Sequence, residues 1–216
     1  MDIVILSDTH ELHREVEVPA GGLLVCCGDF SMFSKSLAAI EDFNDWLGEL
    51  PHRHRLVVFG NHEFYFEADP ARRSLITNAT VLVDEAITID GLKIYGSPIT
   101  PLYGGAFGKS NAEDTRRHWR QIPDDTNLLI THGPPHMILD RSPGQREHAG
   151  DPELAARVKE LKHLRLHCFG HVHGAYGMVE QDGVLFVNAA LLGMDGGIER
   201  SPMALRIEPV GTSRVS

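Results

Sequence analysis

The chain has 216 residues, of which 42% are hydrophobic and 23% are charged, and its formal net charge is −10. This composition is typical of a globular protein, and the length predicts a single domain over residues 1–216 with one sizeable core. The acidic balance argues against stable binding to long nucleic acid, which needs a basic surface. No apolar run approaches the roughly 20 residues that span a bilayer, so we expect no membrane partner.

The cysteines and the N-terminal residues indicate the cellular compartment of the protein. Cys26, Cys27 and Cys168 lie in apolar runs without CxxC spacing, which favours reduced core thiols in a reducing environment. The opening residues, Met1-Asp2-Ile3, lack the basic region of a secretory signal. The sequence therefore predicts a cytoplasmic protein.

Five short apolar runs recur along the chain, and a polar cluster follows each of them. The runs are rich in Val, Ile and Leu, which is typical of strands buried on both faces. In chain order they are residues 3–6, 23–27, 56–59, 128–130 and 166–169. The clusters that follow them contain Asp8 and His10, then Asp29, then Asn61 and His62, then His132, and finally His171 and His173.

Helices and hairpins are predicted between these runs. Apolar residues spaced three and four apart predict a helix over residues 37–50, which Pro51 ends. Asp-Gly turns at 90–91 and 182–183 predict two β-hairpins, and a short helix is expected over 112–121. Asp151-Pro152 has the form of a helix start, and residues 203–207 form a final predicted strand. This order favours an α/β fold with mixed sheets and helices outside them.

The polar clusters carry the chemistry. Side chains two apart on an extended chain point to one side, so we expect Asp8 and His10 to face one centre and His171 and His173 to do the same. Ligands gather outside the carboxyl ends of strands in α/β sheets, so the five clusters are expected to converge. Seven oxygen and nitrogen donors suit two metal ions about 3.5–4 Å apart with a bridging carboxylate. The mixture of carboxylate, imidazole and amide favours Mn²⁺, iron or Zn²⁺ over Ca²⁺.

Together the motifs carry a family resemblance. The patterns DxH, GD, GNHE, a histidine before a glycine, and GHxH occur in this order between residues 8 and 173. This order resembles the calcineurin-like metallophosphoesterase superfamily. Gly96-Ser97-Pro98, Trp119 ahead of Ile122-Pro123, and the run at 131–135 are similar to one branch, the metallophosphoesterase-domain-containing proteins related to class III cyclic-nucleotide phosphodiesterases.

The resemblance implies a fold and a set of roles. The fold would be a four-layer α/β/β/α sandwich with two mixed β-sheets flanked by helices. Two divalent metal ions would be bound, with Mn²⁺ expected and Fe²⁺ or Fe³⁺, Zn²⁺ or Ni²⁺ as alternatives. The first ion would be held by Asp8, His10 and His173, the second by Asn61, His132 and His171, and Asp29 would bridge them. His62 would not be a ligand but would act at the leaving group, as a general acid or as a stabiliser of developing charge.

The implied function is the hydrolysis of phosphodiester bonds in small nucleotides or cyclic-nucleotide-like molecules. We expect in-line attack on phosphorus by a hydroxide that bridges the two ions, so the expected partner is a small phosphorylated substrate. Three alternatives stay open: a phosphomonoesterase or protein phosphatase, a nuclease, and a module that has lost catalysis and serves as a binding scaffold.

Several residues near the motifs have two interpretations. The glycine-rich stretch 101–108 is either a lid whose Tyr103 or Phe107 stacks on a base, or an ordinary surface loop. The side chains of Phe30, Met32 and Phe33 either line the pocket or belong to the core.

For the remaining polar residues the simpler interpretation is preferred. Glu63 is expected to be structural, and Arg141 and Arg146 are expected on a solvated loop rather than at a phosphate. Surface positions are expected for the other histidines in polar or helical contexts, which are His52, His54, His118, His163 and His167.

Overall fold

A computed structural model describes residues 1–34, 36–101 and 104–208. Its strands are β1 (Asp2–Leu6), β2 (Leu23–Cys26), β3 (His54–Val57), β4 (Thr80–Val81), β5 (Glu85–Ile89), β6 (Leu92–Ser97), β7 (Thr100–Pro101), β8 (Gly108–Lys109), β9 (Leu128–Thr131), β10 (Leu166–Phe169), β11 (Gly177–Gln181), β12 (Val184–Asn188) and β13 (Met203–Arg206). Its α-helices are α1 (Leu37–Glu49), α2 (Phe64–Ala68), α3 (Ala112–Trp119) and α4 (Pro152–Glu160). Short 3₁₀ turns occur at His13–Glu15, Pro70–Leu75 and His173–Ala175.

The strands form two large mixed sheets, as predicted. The first has the order β13-β1-β2-β3-β4, with β13 antiparallel to β1 and the other pairs parallel. The second has the order β11-β12-β10-β9-β6-β5, with a parallel centre and an antiparallel hairpin at each edge. Strands β7 and β8 form a small separate pair.

Three apolar clusters separate the layers. Alternate residues of both large sheets, such as Ile5 and Ile130, form a cluster between the two sheets. Phe43 of α1 joins the cluster on the outer face of the first sheet, and Trp119 and Leu154 join the one outside the second sheet. Burial of one such large side chain stabilises the fold by about 1.5–3 kcal/mol. The layer order is therefore α/β/β/α, as the resemblance implied.

The helix ends follow from capping residues. Ser36 Oγ accepts the N–H of Ala39 at 3.2 Å where α1 begins, and α1 ends just before Pro51. Asp151 accepts backbone N–H groups at the start of α4 with one oxygen and the indole N–H of Trp119 at 2.7 Å with the other. This second contact ties α4 to α3, whose last residue is Trp119, two residues before the predicted end.

The two predicted hairpins are confirmed. Asp90 and Gly91 have φ values of 48° and 80°, and Asp182 and Gly183 have 53° and 80°. Positive φ at both central residues defines the tight turn whose twist suits a hairpin, and Asp-Gly is a preferred pair for it.

Three of the histidines expected at the surface are buried: His52, His118 and His167 are 2%, 7% and 0% exposed. His167 lies within β10, with its ring 5.0 Å from that of Phe169, and its Nε2 lies 2.8 Å from Thr131 Oγ1. For His118 and His167 the expectation was wrong because a buried imidazole is tolerated when a partner, here Ser97 Oγ and Thr131 Oγ1, satisfies one ring nitrogen. Among the described residues, no helix is both long enough and apolar enough to cross a membrane.

Candidate metal centre

The predicted site residues meet where β1, β2, β3, β9 and β10 end. Two of them, Asp8 and His132, are fully buried. The others line an open cleft of about 300 Å³ together with two apolar side chains; the lining comprises His10, Asp29, Asn61, His62, His171, His173, Met32 and Leu192. A larger cavity of about 520 Å³ lies between α4 and the β11–β12 hairpin, and none of the predicted ligands lines it.

The backbone reaches this centre by left-handed turns rather than by extended chain. Strand β1 ends at Leu6, and Asp8 and His10 follow with φ values of 55° and 41°. His171 likewise has φ 65°, after β10 has ended. The expectation that side chains two apart point to one side because the chain is extended is therefore wrong here, although the side chains of these residues do converge. Such conformations persist where surroundings hold them, and Asp8 N donates to Gly28 O at 3.0 Å.

The first half of the site consists of Asp8, His10 and His173, whose candidate ligand atoms lie within 4.8 Å of one another. Asp8 Oδ1 is 3.3 Å from His173 Nε2, and Asp8 Oδ2 accepts the backbone N–H of His171 at 2.9 Å. In the described parts of the chain, His10 Nδ1 is a buried atom without a hydrogen-bond partner, and the buried Asp8 Oδ1 has the contact with His173 Nε2 as its ionic partner. Buried polar atoms are normally satisfied, so this geometry leaves room for a further ligand such as a cation.

The second half of the site consists of Asn61, His132 and His171. Asn61 Oδ1 lies 2.8 Å from His132 Nε2 and 2.9 Å from His171 Nδ1. His132 Nδ1 donates to the carbonyl oxygen of Cys27 at 2.9 Å. This bond fixes the tautomer of a neutral His132 ring and directs the lone pair of Nε2 to the centre, as is typical of metal-binding histidine.

Asp29 stands between the two halves. Its Oδ2 is 3.2 Å from His132 Nε2 and 3.9 Å from His10 Nε2, and it groups with ligand atoms of both halves within 4.8 Å. Its Oδ1 accepts the backbone N–H of His62 at 2.9 Å. One carboxylate within reach of both halves is the arrangement expected of a bridging ligand.

The role of His62 stays a prediction. Its Nε2 lies 3.9 Å from Asp29 Oδ2, and its ring also groups with His10 and Asp29 as a potential ligand set. The ring stacks on Phe33 with centroids 4.1 Å apart and an angle of 18° between the planes. Geometry alone thus permits His62 either to bind an ion or to face a leaving group.

The charges at the centre suit a cation. Burial raises the pKa of Asp8, but the hydrogen bond from His173 and the charge of His132 outweigh it and hold the pKa below its ordinary value. Burial lowers the pKa of His132, yet the charge and hydrogen bond of Asp29 raise it to about 10. Burial lowers the pKa of His171 to about 4. Two buried carboxylates need positive charge close by; a proton on His132 supplies it here, and a divalent ion can supply it instead.

The donor set therefore fits the metals that the resemblance implied. Two carboxylates, one amide oxygen and four imidazoles are mixed oxygen and nitrogen donors of the kind that Mn²⁺, iron and Zn²⁺ accept. The three described cysteines are free, buried and absent from these groups.

Glu63 holds two of the site loops together. It is fully buried and accepts hydrogen bonds from Asp29 N at 2.9 Å, Gly60 N at 2.6 Å, Ser31 N at 3.1 Å and Ser31 Oγ at 2.8 Å. Burial, and then the charge of Asp29, raise its pKa to about 7 despite these bonds. This carboxylate fastens the loop after β2 to the loop after β3, a structural role of the kind the sequence predicts.

The glycine-rich stretch packs against Asn61, a predicted metal ligand, and neither interpretation of its sequence anticipated this contact. Ala106 N donates to Asn61 O at 2.8 Å, and a Cβ on Gly105 would lie 2.5 Å from that oxygen. Phe107 is half-buried and stacks against Phe59, with centroids 6.0 Å apart. Tyr103 lies outside the described residues. The sequence signal is the small-residue run itself, which permits close backbone approach.

The three residues with two interpretations after Asp29 divide between core and cleft. Phe30 is 3% exposed and stacks on Phe43 at 4.1 Å, so it belongs to the core. Met32 and Phe33 are 40% and 42% exposed beside the site. Sequence reasoning missed Asn188, whose Nδ2 donates to the carbonyl oxygens of Leu139 and Val172 at 3.0 Å each and so anchors the turn that carries His171 and His173.

Comparison with known proteins agrees with the family resemblance of the motifs. The family model described as calcineurin-like phosphoesterase matches residues 1–175. The chain is 35% identical over 222 residues to a UPF0046 protein of Caenorhabditis elegans, covering 96% of this chain and 75% of that protein. It is 34% identical over 213 residues to metallophosphoesterase domain-containing protein 1 of Homo sapiens, covering 87% of this chain but only 65% of the human protein.

Solved structures agree on the fold. TT1561 of Thermus thermophilus aligns with a TM-score of 0.58 at 12% identity, over 87% of this chain and 88% of its own. A second crystal structure aligns with a TM-score of 0.65 at 17% identity, over 87% and 89% of the two chains.

Proposed function

This chain belongs to the calcineurin-like phosphoesterase family, and from that premise we propose that it is a two-metal phosphodiesterase acting on small molecules such as nucleotides or cyclic-nucleotide-like diesters. The observation that carries the proposal is the position of Asp29, which groups with ligand atoms of both halves of the site. A carboxylate shared in this way serves two ions rather than one.

The proposed ligands are those named above. Asp8, His10 and His173 would hold the first ion, Asn61, His132 and His171 would hold the second, and Asp29 would be shared between them. Mn²⁺ is the proposed native metal, with iron, Zn²⁺ and Ni²⁺ as alternatives. When bound, two divalent ions acidify a water molecule and stabilise negative charge on the phosphoryl oxygens.

The protein's own residues position the proposed metal ligands and stabilise the leaving oxygen. The bond from His132 Nδ1 to Cys27 O keeps Nε2 free for coordination, and the contact of Ala106 with Asn61 sets the amide in place. Burial, the largest influence, lowers the pKa of His62, which favours the neutral ring and its single N–H. In hydrolysis a water oxygen forms the new bond to phosphorus as the bond to the leaving oxygen breaks, and the proton that the water loses balances the proton that the leaving oxygen takes up. We assign His62 to stabilise the negative charge that develops on the leaving oxygen.

Charge supports a diester over a monoester. The side chains that line the cleft among the described residues include no lysine or arginine, and Glu11 accepts the N–H of Met32 at the rim at 2.9 Å. A dianionic monoester or a polyphosphate gains least from such a rim, whereas a diester carries a single negative charge.

A reducing compartment such as the cytoplasm is part of the proposal. Cys26, Cys27 and Cys168 are all free and buried, and burial raises the pKa of each thiol, which keeps them unreactive.

The test is a matrix of metals and substrates. Metal-free protein is reloaded separately with Mn²⁺, Fe²⁺, Zn²⁺, Ni²⁺ or Mg²⁺ and assayed on chromogenic monoesters and diesters, cyclic nucleotides and single-stranded DNA. We expect diester hydrolysis with Mn²⁺ and two bound ions per chain. Monoester turnover without diester turnover supports a phosphatase instead, DNA cleavage supports a nuclease, and no turnover with any metal supports a binding module.

Variants separate the roles. Asp29→Asn is expected to fold but to lose both ions and activity, because a neutral amide bridges two cations poorly. His62→Ala is expected to keep both ions and to slow turnover by roughly 10²–10³-fold, the contribution of one hydrogen-bond donor at a developing negative charge. If His62→Ala empties a metal position, the assignment of His62 is wrong. The exposed His163→Ala is the matched control.

A further inference from the structure

The loop after Asp29 presents apolar side chains to solvent beside the metal centre. Met32 is 40% exposed and lines the cleft, and Phe33 is 42% exposed. Leu192, which follows β12, lines the same cleft. The bottom of the cleft is polar, so it is these rim residues that give it an apolar character.

The loop is held in a strained conformation that keeps Phe33 in place. Phe33 and Ser34 have φ values of 59° and 49°, and two successive left-handed residues without glycine are costly. Ser34 Oγ donates to His62 O at 3.0 Å, and Ser34 N donates to Ser31 Oγ at 3.2 Å. Ser31 is in turn bound to Glu63. The exposed position of Phe33 is therefore built into the site rather than left to a free loop.

The position of Phe33 next to His62 brings the apolar rim close to where the leaving group of the substrate would lie. Its ring lies parallel to that of His62 at 4.1 Å. If His62 faces the leaving oxygen, as the proposed function has it, the group attached to that oxygen lies beside the same ring. Phe33 and Met32 are the exposed side chains there, and the cleft of about 300 Å³ has room for a phosphoryl group and one ring.

We propose that Met32, Phe33 and Leu192 form a subsite for the leaving group of the substrate, and that this group carries an aromatic or apolar portion, such as a nucleobase, and no second charge. The inference rests on the proposed function and specifies its substrate class. An aromatic group gains by packing on Phe33 and on the thioether of Met32. A second phosphate is disfavoured because Glu11, bonded to Met32 N at 2.9 Å, brings negative charge to the rim.

Binding of stable analogues tests the subsite without turnover. Methyl phenylphosphonate and methyl methylphosphonate carry the same single charge and differ only in the group joined to phosphorus by a P–C bond. Their Kd values are measured by calorimetry on the Mn²⁺-loaded protein. We expect the phenyl compound to bind about tenfold more tightly, since an aromatic contact and its buried surface have about this value.

Two variants remove the apolar rim while sparing the fold. Phe33→Asn suits the backbone, because asparagine adopts positive φ more readily than phenylalanine, and Met32→Gln keeps the side-chain length. Each is expected to reduce the phenyl preference by about 3- to 10-fold with little change for the methyl compound. Met137→Gln and Met178→Gln alter residues that are 64% and 54% exposed outside the cleft lining, and they serve as controls.

The outcomes separate the subsite from the proposed function, because hydrolysis is assayed in parallel. A phenyl preference that the two rim variants abolish supports the subsite even if no ester is cleaved. Equal binding of the two phosphonates, no binding of either, or an equal loss in the control variants overturns the subsite even if diesters are hydrolysed.

Discussion

The two halves of the candidate metal centre offer similar donors but differ in how firmly the protein holds them. In the second half, His132 is fully buried and its Nδ1 is bonded to Cys27 O. In the first half, the side chain of His173 is 25% exposed on a short 3₁₀ turn, and His10 Nδ1 has no partner among the described residues. The second half is therefore preorganised to a greater degree than the first.

Support for the second half extends beyond its ligands. Asn61 O accepts from Ala106 N, and Thr131, next to His132, donates through Oγ1 to Gly133 O at 2.7 Å. Thr131 Oγ1 accepts in turn from His167 Nε2 at 2.8 Å. Ligands fixed by outer partners lose less freedom when an ion binds. We expect the second half to bind its ion more tightly and to retain it longer during chelation.

Removing one imidazole from each half gives the largest effect. His132→Ala is expected to weaken Mn²⁺ binding in the second half by more than about 100-fold, since loss of an outer partner alone costs about 10–100-fold. His173→Ala is expected to weaken the first half and to spare the second. Metal content by elemental analysis and calorimetric titration of each variant measure the difference.

One result would contradict the assignment of different ions to the two halves. If His173→Ala lowers the affinity of both ions equally, the two histidines of the GHVH segment do not serve different ions. Denaturant unfolding of the metal-free variants shows whether either substitution acts through the fold, and the exposed His163→Ala is the control.

A smaller effect is expected from the support beneath Asn61. A Cβ at Gly105 would lie 2.5 Å from Asn61 O and 2.7 Å from its Cβ, so Gly105→Ala must displace that residue. We expect Mn²⁺ binding in the second half to weaken by about 10–100-fold while the first half is unchanged. Calorimetric titration of the variant and of wild type with Mn²⁺ measures the affinity of each half of the site.

Gly104→Ala is the matched control for this prediction. Gly104 has φ 80°, and apart from its chain neighbours no atom of the described residues lies within 4 Å of an added Cβ, so alanine there strains the backbone without touching Asn61. If both variants weaken metal binding equally, general strain in the loop explains the loss and direct support of Asn61 does not.

The sequence predicts the strand ends and their donors well because both are local. Apolar runs followed by Asp8, Asp29 or His132 carry their own signal. The left-handed turns at Asp8 and His171 have no such signal in the sequence, because tertiary hydrogen bonds impose the conformation. Asp8 N donates to Gly28 O, and His171 N donates to the side chain of Asp8.

Tertiary contacts also explain what the sequence did not predict. Gly105 is significant only because Asn61 lies against it, and that contact joins residues 44 positions apart. His167 is a polar residue in a strand, and only its pairing with Thr131 makes burial acceptable. Residue type and spacing predicted the composition of the site, whereas its support depends on contacts between distant segments.

The smallest effect at neutral pH concerns His167, and it tests the support of the second half through acid stability. Burial lowers the pKa of His167 to about 3, whereas the unfolded chain has the ordinary value of 6.5. Between these values only the unfolded state takes up a proton, so folding stability falls as the pH falls below 6.5. This one group removes about 2 kcal/mol between pH 7 and pH 5.

His167→Gln removes this proton uptake and keeps an N–H for Thr131 Oγ1. We expect a cost of about 1 kcal/mol at pH 7 and a fall in stability between pH 7 and pH 5 that is smaller than in wild type by about 2 kcal/mol. Denaturant unfolding of the metal-free protein at both pH values measures this, with the exposed His163→Gln as control. An unchanged pH dependence in His167→Gln would mean that His167 is not held neutral, and then its bond to Thr131 could not be the fixed support that distinguishes the second half from the first.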